Sequence, residues 1–132
     1  MSLPLCSSKV IILMDPQNAT VDGCYMVDNH PTKSQYVGTN HIQLYAIHNE
    51  RVCFTPINMS GQYSVVLPTI IRWANSGAWG YFPLPKKYTV DDIDVWVAEI
   101  GGDRGQTYTA KALCKVGDTG DPFYLTFQIS VS

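Results

Sequence analysis

From Pro122 to Ser132 the chain alternates almost without a fault, with Phe123, Leu125, Phe127, Ile129 and Val131 on one side and Tyr124, Thr126, Gln128, Ser130 and Ser132 on the other. A period of two is the signature of a strand with one face on a core and one in water. A helix could not gather those five apolar side chains into a single stripe. The chain is therefore expected to end in a core strand of an antiparallel sheet.

Other segments read the same way. Val10 to Met14 is a continuous apolar run closed by Asp15-Pro16, as expected of an interior strand covered on both faces. Cys24 to Val27 reads as a second strand running into the turn cluster Asp28-Asn29-His30-Pro31. His41 to Ile47 alternates, and His48-Asn49-Glu50 is placed to close a hairpin onto Arg51 to Thr55, with Pro56 ending that strand or pushing it to an edge. Tyr63, Val65 and Leu67 resume an inward pattern, and Thr69 to Trp73 follows as a separate strand. Ala74 to Lys87 has no clear period and is expected to be a long ordered loop. Ile93, Val95 and Val97 define a strand whose other register, Trp96, Ala98 and Ile100, is also apolar, so that both faces are covered or a bulge intervenes. Gly101 to Gly105 reads as a hairpin loop before the alternating stretch Gln106 to Val116, and Gly117 to Asp121 turns into the last strand.

About eight short strands with polar turns and no convincing helix predict an all-β fold, an antiparallel β-sandwich or jelly roll, with a closed barrel as the alternative. At 132 residues, without a repeat or a linker, the chain is expected to form one domain over residues 1–132, large enough for a core of its own. Only 15% of the residues are charged, which suits sheets whose wet faces carry Thr, Ser, Gln and Tyr. A formal charge of -2 offers no basic field for nucleic acid or anionic lipid. No apolar run is long enough for a signal-peptide core or a membrane span, so a cytoplasmic location is expected.

Chemistry is harder to find. Cys6, Cys24, Cys53 and Cys114 are scattered without a C-x-x-C or a histidine at zinc-ligand spacing, and they read as thiols, with a disulfide as the alternative. His30, His41 and His48 lack the spacing of a metal site and suit exposed turns. No nucleophile motif is present, and Gly101 to Gly105 lacks the lysine of a phosphate loop. Asp91, Asp92 and Asp94 could offer oxygens to calcium, but the glycine and distal glutamate of a calcium loop are missing, so they mark a solvated turn. No catalytic residue, metal or cofactor is predicted.

The most suggestive cluster is aromatic. Trp73, Trp79, Tyr81 and Phe82 lie near Asn75 and Ser76, and flat apolar rings beside amides and hydroxyls are the means of binding a sugar. The competing expectation, which the large area of such rings favours, is that this loop folds down and plugs one end of the sandwich.

Several segments in order resemble the PixA/AidA-type inclusion body proteins of bacteria: Val10 to Asp15, Tyr25-Met26-Val27-Asp28-Asn29, Gly38-Thr39 before Ile42-Gln43-Leu44, Phe54-Thr55-Pro56-Ile57-Asn58, Val95-Trp96-Val97, Gln106-Thr107-Tyr108 and Asp121-Pro122-Phe123. The sequence departs from the family pattern in having Gly120 before that last motif and a full strand after it. The resemblance implies an all-β bacterial protein with no catalytic residues to carry over. Two functions are therefore expected in competition: a non-enzymatic sandwich that binds or self-associates through exposed strand edges, and a carbohydrate-binding module built on Trp73, Asn75, Trp79, Tyr81 and Phe82.

Overall fold

The C-terminal alternation becomes a nine-residue strand, Phe123–Val131, whose Leu125, Phe127, Ile129 and Val131 are buried. The computed structural model describes residues 4–30, 32–58, 68–91, 93–117 and 121–132. Among these, the strands in chain order are β1 (Ser8–Met14), β2 (Cys24–Asp28), β3 (Gln43–Ala46), β4 (Arg51–Asn58), β5 (Pro68–Trp73), β6 (Lys86–Val90), β7 (Ile93–Glu99), β8 (Thr107–Val116) and β9 (Phe123–Val131), with one turn of helix, α1 (Ala78–Tyr81), between β5 and β6. The expected strand through Tyr63, Val65 and Leu67 lies outside the described residues.

The strands form a sandwich of two sheets, one of order β2-β1-β4-β7-β6 and one of order β3-β9-β8-β5. The all-β expectation holds, but the sheets are mixed. β1 pairs with β4 in parallel, and β3 pairs with β9 in parallel, while the other pairings are antiparallel. The cause is that two expected hairpins cross between the sheets instead. Residues 47–50 lead from β3 in one sheet to β4 in the other, and residues 100–106 lead from β7 back to β8. Both crossings are tied at one end of the sandwich. Asn49, with a φ of 66°, donates its amide to Ile100 O at 2.9 Å, His48 N donates to Ser132 O at 2.9 Å, and Gly105 N donates to Val131 O at 2.7 Å. Gly102 has a φ of 73°, and a Cβ there would stand 2.7 Å from the Tyr108 hydroxyl, so the crossing accepts only glycine at that point.

Between the sheets lies a continuous apolar core. Phe54 of β4 meets Phe127 of β9 with ring centroids 5.6 Å apart and Trp73 of β5 at 5.1 Å. A buried side chain of this size contributes about 1.5–3 kcal/mol relative to solvent exposure. The double apolar register of β7 has a plain explanation. Ala98 and Ile100 join the main core with Trp96 packed against it, whereas Val95 and Val97 face outward and form a second small cluster with Cys53, Cys6 and Tyr88.

β1 differs from its expectation. Val10, Ile12 and Met14 are buried, but Ile11, on the opposite face, keeps 37% of its surface in solvent. The apolar run is covered on one face only.

Candidate functional site

The five residues of the expected sugar site do not come together at the surface. Trp73 ends β5 and Trp79 sits in α1, with ring centroids 5.0 Å apart, and Phe82 packs on Trp79 at 6.0 Å. All three are buried, Trp79 to 2% exposure, while Tyr81 keeps 69% exposure and Asn75 is exposed. Residues 74–85 thus fold down as a plug that turns the rings of Trp79 and Phe82 to the core and leaves Tyr81 outside. Gly77 makes this possible, because a Cβ there would fall 2.2 Å from Thr109 O on β8. The indole nitrogens of Trp73, Trp79 and Trp96 are buried without a hydrogen-bond partner.

The cysteines divide into two kinds. Cys6 and Cys53 form a disulfide across 47 residues, which corrects the reading of these two as thiols. The parallel pairing makes the bond reachable: Lys9 stands opposite Cys53, and the chain before β1 continues alongside β4, with Ser7 N donating to Arg51 O at 3.1 Å. Disulfides persist chiefly in oxidising compartments. Among the described residues no helix is long and apolar enough to cross a membrane. Cys24 and Cys114 remain free and buried, and burial pushes their thiols up from 9.0 to about 11 and about 12. Such thiols are inert packing groups and not nucleophiles.

Among the described residues no group of three or more His, Cys, Asp and Glu side chains is placed to hold a metal ion. His30 Nε2 lies 2.9 Å from Ser7 O, and His41 Nδ1 lies 3.0 Å from Asn40 Oδ1. Asp94 accepts from the Thr89 hydroxyl at 2.9 Å, next to the β6–β7 turn where Asp91 has a φ of 51°.

The short motifs noted in the sequence serve the fold. Asp28 accepts a hydrogen bond from Ser34, whose hydroxyl in turn accepts from Tyr45 N at 2.9 Å, joining β2 to β3. Asn29 Oδ1 accepts from Lys9 N at 2.8 Å at the start of β1. Thr39 O accepts from Met26 N at 2.9 Å, and Gly38 N donates to Met26 O at 2.6 Å, closing the edge of β2. Tyr108 OH accepts from Asp103 N at 2.8 Å and holds the second crossing.

Among the described residues, two surfaces stand out as places where something could bind. The first is the outer face of the five-stranded sheet. Paired rows place Tyr25, Leu13 and Ile57 side by side, and Val27, Ile11 and Thr55 beside them. Val90 and Ile93 continue this face at the β6–β7 turn, where Ile93 is 50% exposed. The second is an open groove of about 550 Å³ on the other sheet, lined by Tyr36, His41, Thr109, Thr126, Phe127 and Gln128. Tyr36 and His41 belong to the irregular stretch between β2 and β3, where no periodicity marks them. The only sequence signal for this groove was the outward row of Thr and Gln on β8 and β9.

No family model matches the chain, and no curated protein matches it. Its structure is similar to that of an inclusion body protein, PixA, from Burkholderia cenocepacia J2315, with a TM-score of 0.73 and 11% identity, over 100% of this chain and 99% of that one. A cysteine protease inhibitor from Entamoeba histolytica aligns with a TM-score of 0.37 at 10% identity, over 92% of this chain and 95% of that one. The chain thus has the fold of the PixA inclusion body protein, in agreement with the resemblance read from its sequence.

Proposed function

We propose that this protein is not an enzyme and acts by self-association, two copies packing the outer faces of their five-stranded sheets against each other. The observation that carries this reading is the uncovered outer face of β1. A continuous apolar strand held in a parallel pair is ordinarily covered on both sides, yet Ile11, Tyr25, Ile57, Val90 and Ile93 are all exposed on that side of the sheet. An apolar face of this kind marks an interaction surface. A second copy supplies the same apolar face, and two sheets stack at about 10 Å as they do inside the sandwich.

The strand edges, by contrast, are poor candidates. β2 is closed by the Met26–Thr39 bridge and β3 by the Gln35–Gln43 bridge. β5 begins at Pro68 and carries a register shift between Ile70 and Arg72, and β6 begins with Lys86 and Lys87. Proline, irregular register and lysine are the usual means of blocking edge pairing.

The test is light scattering after size exclusion. The wild-type chain is expected to run as a dimer, and Ile11→Lys combined with Ile57→Lys as a monomer with an unchanged circular dichroism spectrum. Tyr124→Lys, on the other sheet, is expected to leave the dimer intact. A wild-type monomer at all concentrations, or a double variant that stays dimeric, would remove the proposal.

A further inference from the structure

The outer face of the four-stranded sheet is polar, and most of its side chains are engaged with one another. Gln43 Nε2 donates to Ser130 Oγ at 2.9 Å, and that hydroxyl also lies 2.9 Å from Thr107 Oγ1. Arg72 donates to the Tyr124 hydroxyl at 3.0 Å, and Lys111 lies over the Tyr124 ring at 5.2 Å. Thr109, Thr126 and Gln128 are not among them: no hydrogen bond of their side chains is found among the described residues, and all three are exposed. Thr109 and Gln128 stand directly opposite each other on β8 and β9, and Thr126 is the next outward residue along β9.

These three line the groove beside an exposed aromatic pair. Tyr36 keeps 58% of its surface in solvent, and its ring lies 5.3 Å from that of His41 at an angle of 40°. This ring is held by the backbone. Tyr36 has a φ of 56°, a conformation that costs about 1–3 kcal/mol for a side-chain-bearing residue and persists only where surrounding contacts fix it. Here they do so from both sides: Gln35 pairs with Gln43 through two backbone bonds of 2.9 and 2.8 Å, and Thr39 Oγ1 donates to Tyr36 O at 2.6 Å. His41 Nδ1 lies 3.0 Å from Asn40 Oδ1, which only accepts, so in the neutral ring Nε2 is the acceptor.

We propose that this groove binds a neutral sugar ring. The C–H face of a pyranose packs on Tyr36, and its hydroxyls bond to Thr109, Thr126, Gln128 and His41 Nε2. The groove carries no Lys, Arg, Asp or Glu among its lining residues, so it lacks the charged side chains that usually hold a phosphate or a hard cation. Its volume of about 550 Å³ suits one or two sugar rings. The site shares no residue with the apolar face of the other sheet and does not depend on self-association.

The experiment is saturation-transfer NMR on the full chain with a panel of neutral sugars: glucose, galactose, mannose, fucose and N-acetylglucosamine. At least one is expected to receive saturation, with amide shifts at Thr109 and Gln128. Tyr36→Gly removes the ring while fitting the positive φ, so folding is kept, and it is expected to weaken binding about tenfold. Gln128→Ala serves as a second, independent variant with the same direction of effect, and Tyr81→Ala is expected to change nothing. No transfer to any sugar of the panel, or binding that survives both Tyr36→Gly and Gln128→Ala, overturns the proposal.

Discussion

Cys53 points outward from β4, where a lone thiol would look to solvent, yet it is buried beside Val95 and Val97 because Cys6 is bonded to it. The bond pins the segment before β1 over that corner of the sheet. Replacing Cys6 by serine is expected to cost about 2–4 kcal/mol of stability, measured by urea denaturation under non-reducing conditions, since it frees a loop of 47 residues in the unfolded chain. Cys24 and Cys114 behave oppositely. Their thiols are raised to about 11 and about 12, so the folded protein keeps them protonated while the unfolded chain ionises them near 9.0. Their contribution to stability is therefore complete below pH 9.0 and lost as pH rises through about 11 to about 12. The melting temperature is expected to fall in that alkaline window, and a Cys24→Ala, Cys114→Ala variant to fall less steeply. A thiol reagent at pH 8 is expected to find neither cysteine until the chain is unfolded.

At the scale of the element, what was legible followed from burial on one face. β9 and β8 alternate because one side of each packs on the core, and their antiparallel pairing was readable from the short turn between them. β6, five residues with no buried side chain, left no pattern to read. The parallel pairs were hidden because a crossing between sheets and a tight hairpin use the same Gly, Asn and Asp residues; only the partner's position separates them. α1 was hidden too, being a single turn fixed by packing of Trp79 and Phe82 and not by propensity. Trp79→Ala is expected to destabilise the fold by about 3–5 kcal/mol, because it empties the plug between the sheets. Tyr81→Ala, two residues on and exposed, is expected to stay within about 0.5 kcal/mol. Urea denaturation of both variants checks the contrast.

For the whole molecule, the two outer faces differ in chemistry. One sheet shows Ile11, Tyr25, Ile57 and Ile93 to solvent, and the other shows mainly Thr, Gln, Lys and Ser, with Ile71 and Tyr124 among them. A pair of copies joined at their apolar faces would carry the two polar faces outward, on opposite sides, with both Tyr36 grooves open. Two linked sites raise avidity for a surface bearing many copies of one sugar. The apolar character of the first face was present in the sequence, as the run Val10 to Met14; that Ile11 stays exposed among the described residues was not, because cover depends on which strands stack. The grooves were less legible still, since Tyr36 and Gln128 meet only after β3 and β9 have paired. Solvent access at the isoleucine methyl groups tests the central claim most directly, using NMR with a soluble paramagnetic probe on the wild-type chain over a range of concentrations. Ile11 and Ile57 are expected to be shielded when the protein is concentrated and broadened on dilution, while Ile71, exposed on the other sheet, is broadened throughout. If Ile11 and Ile57 are broadened as strongly as Ile71 at every concentration, their face has no partner and the account fails.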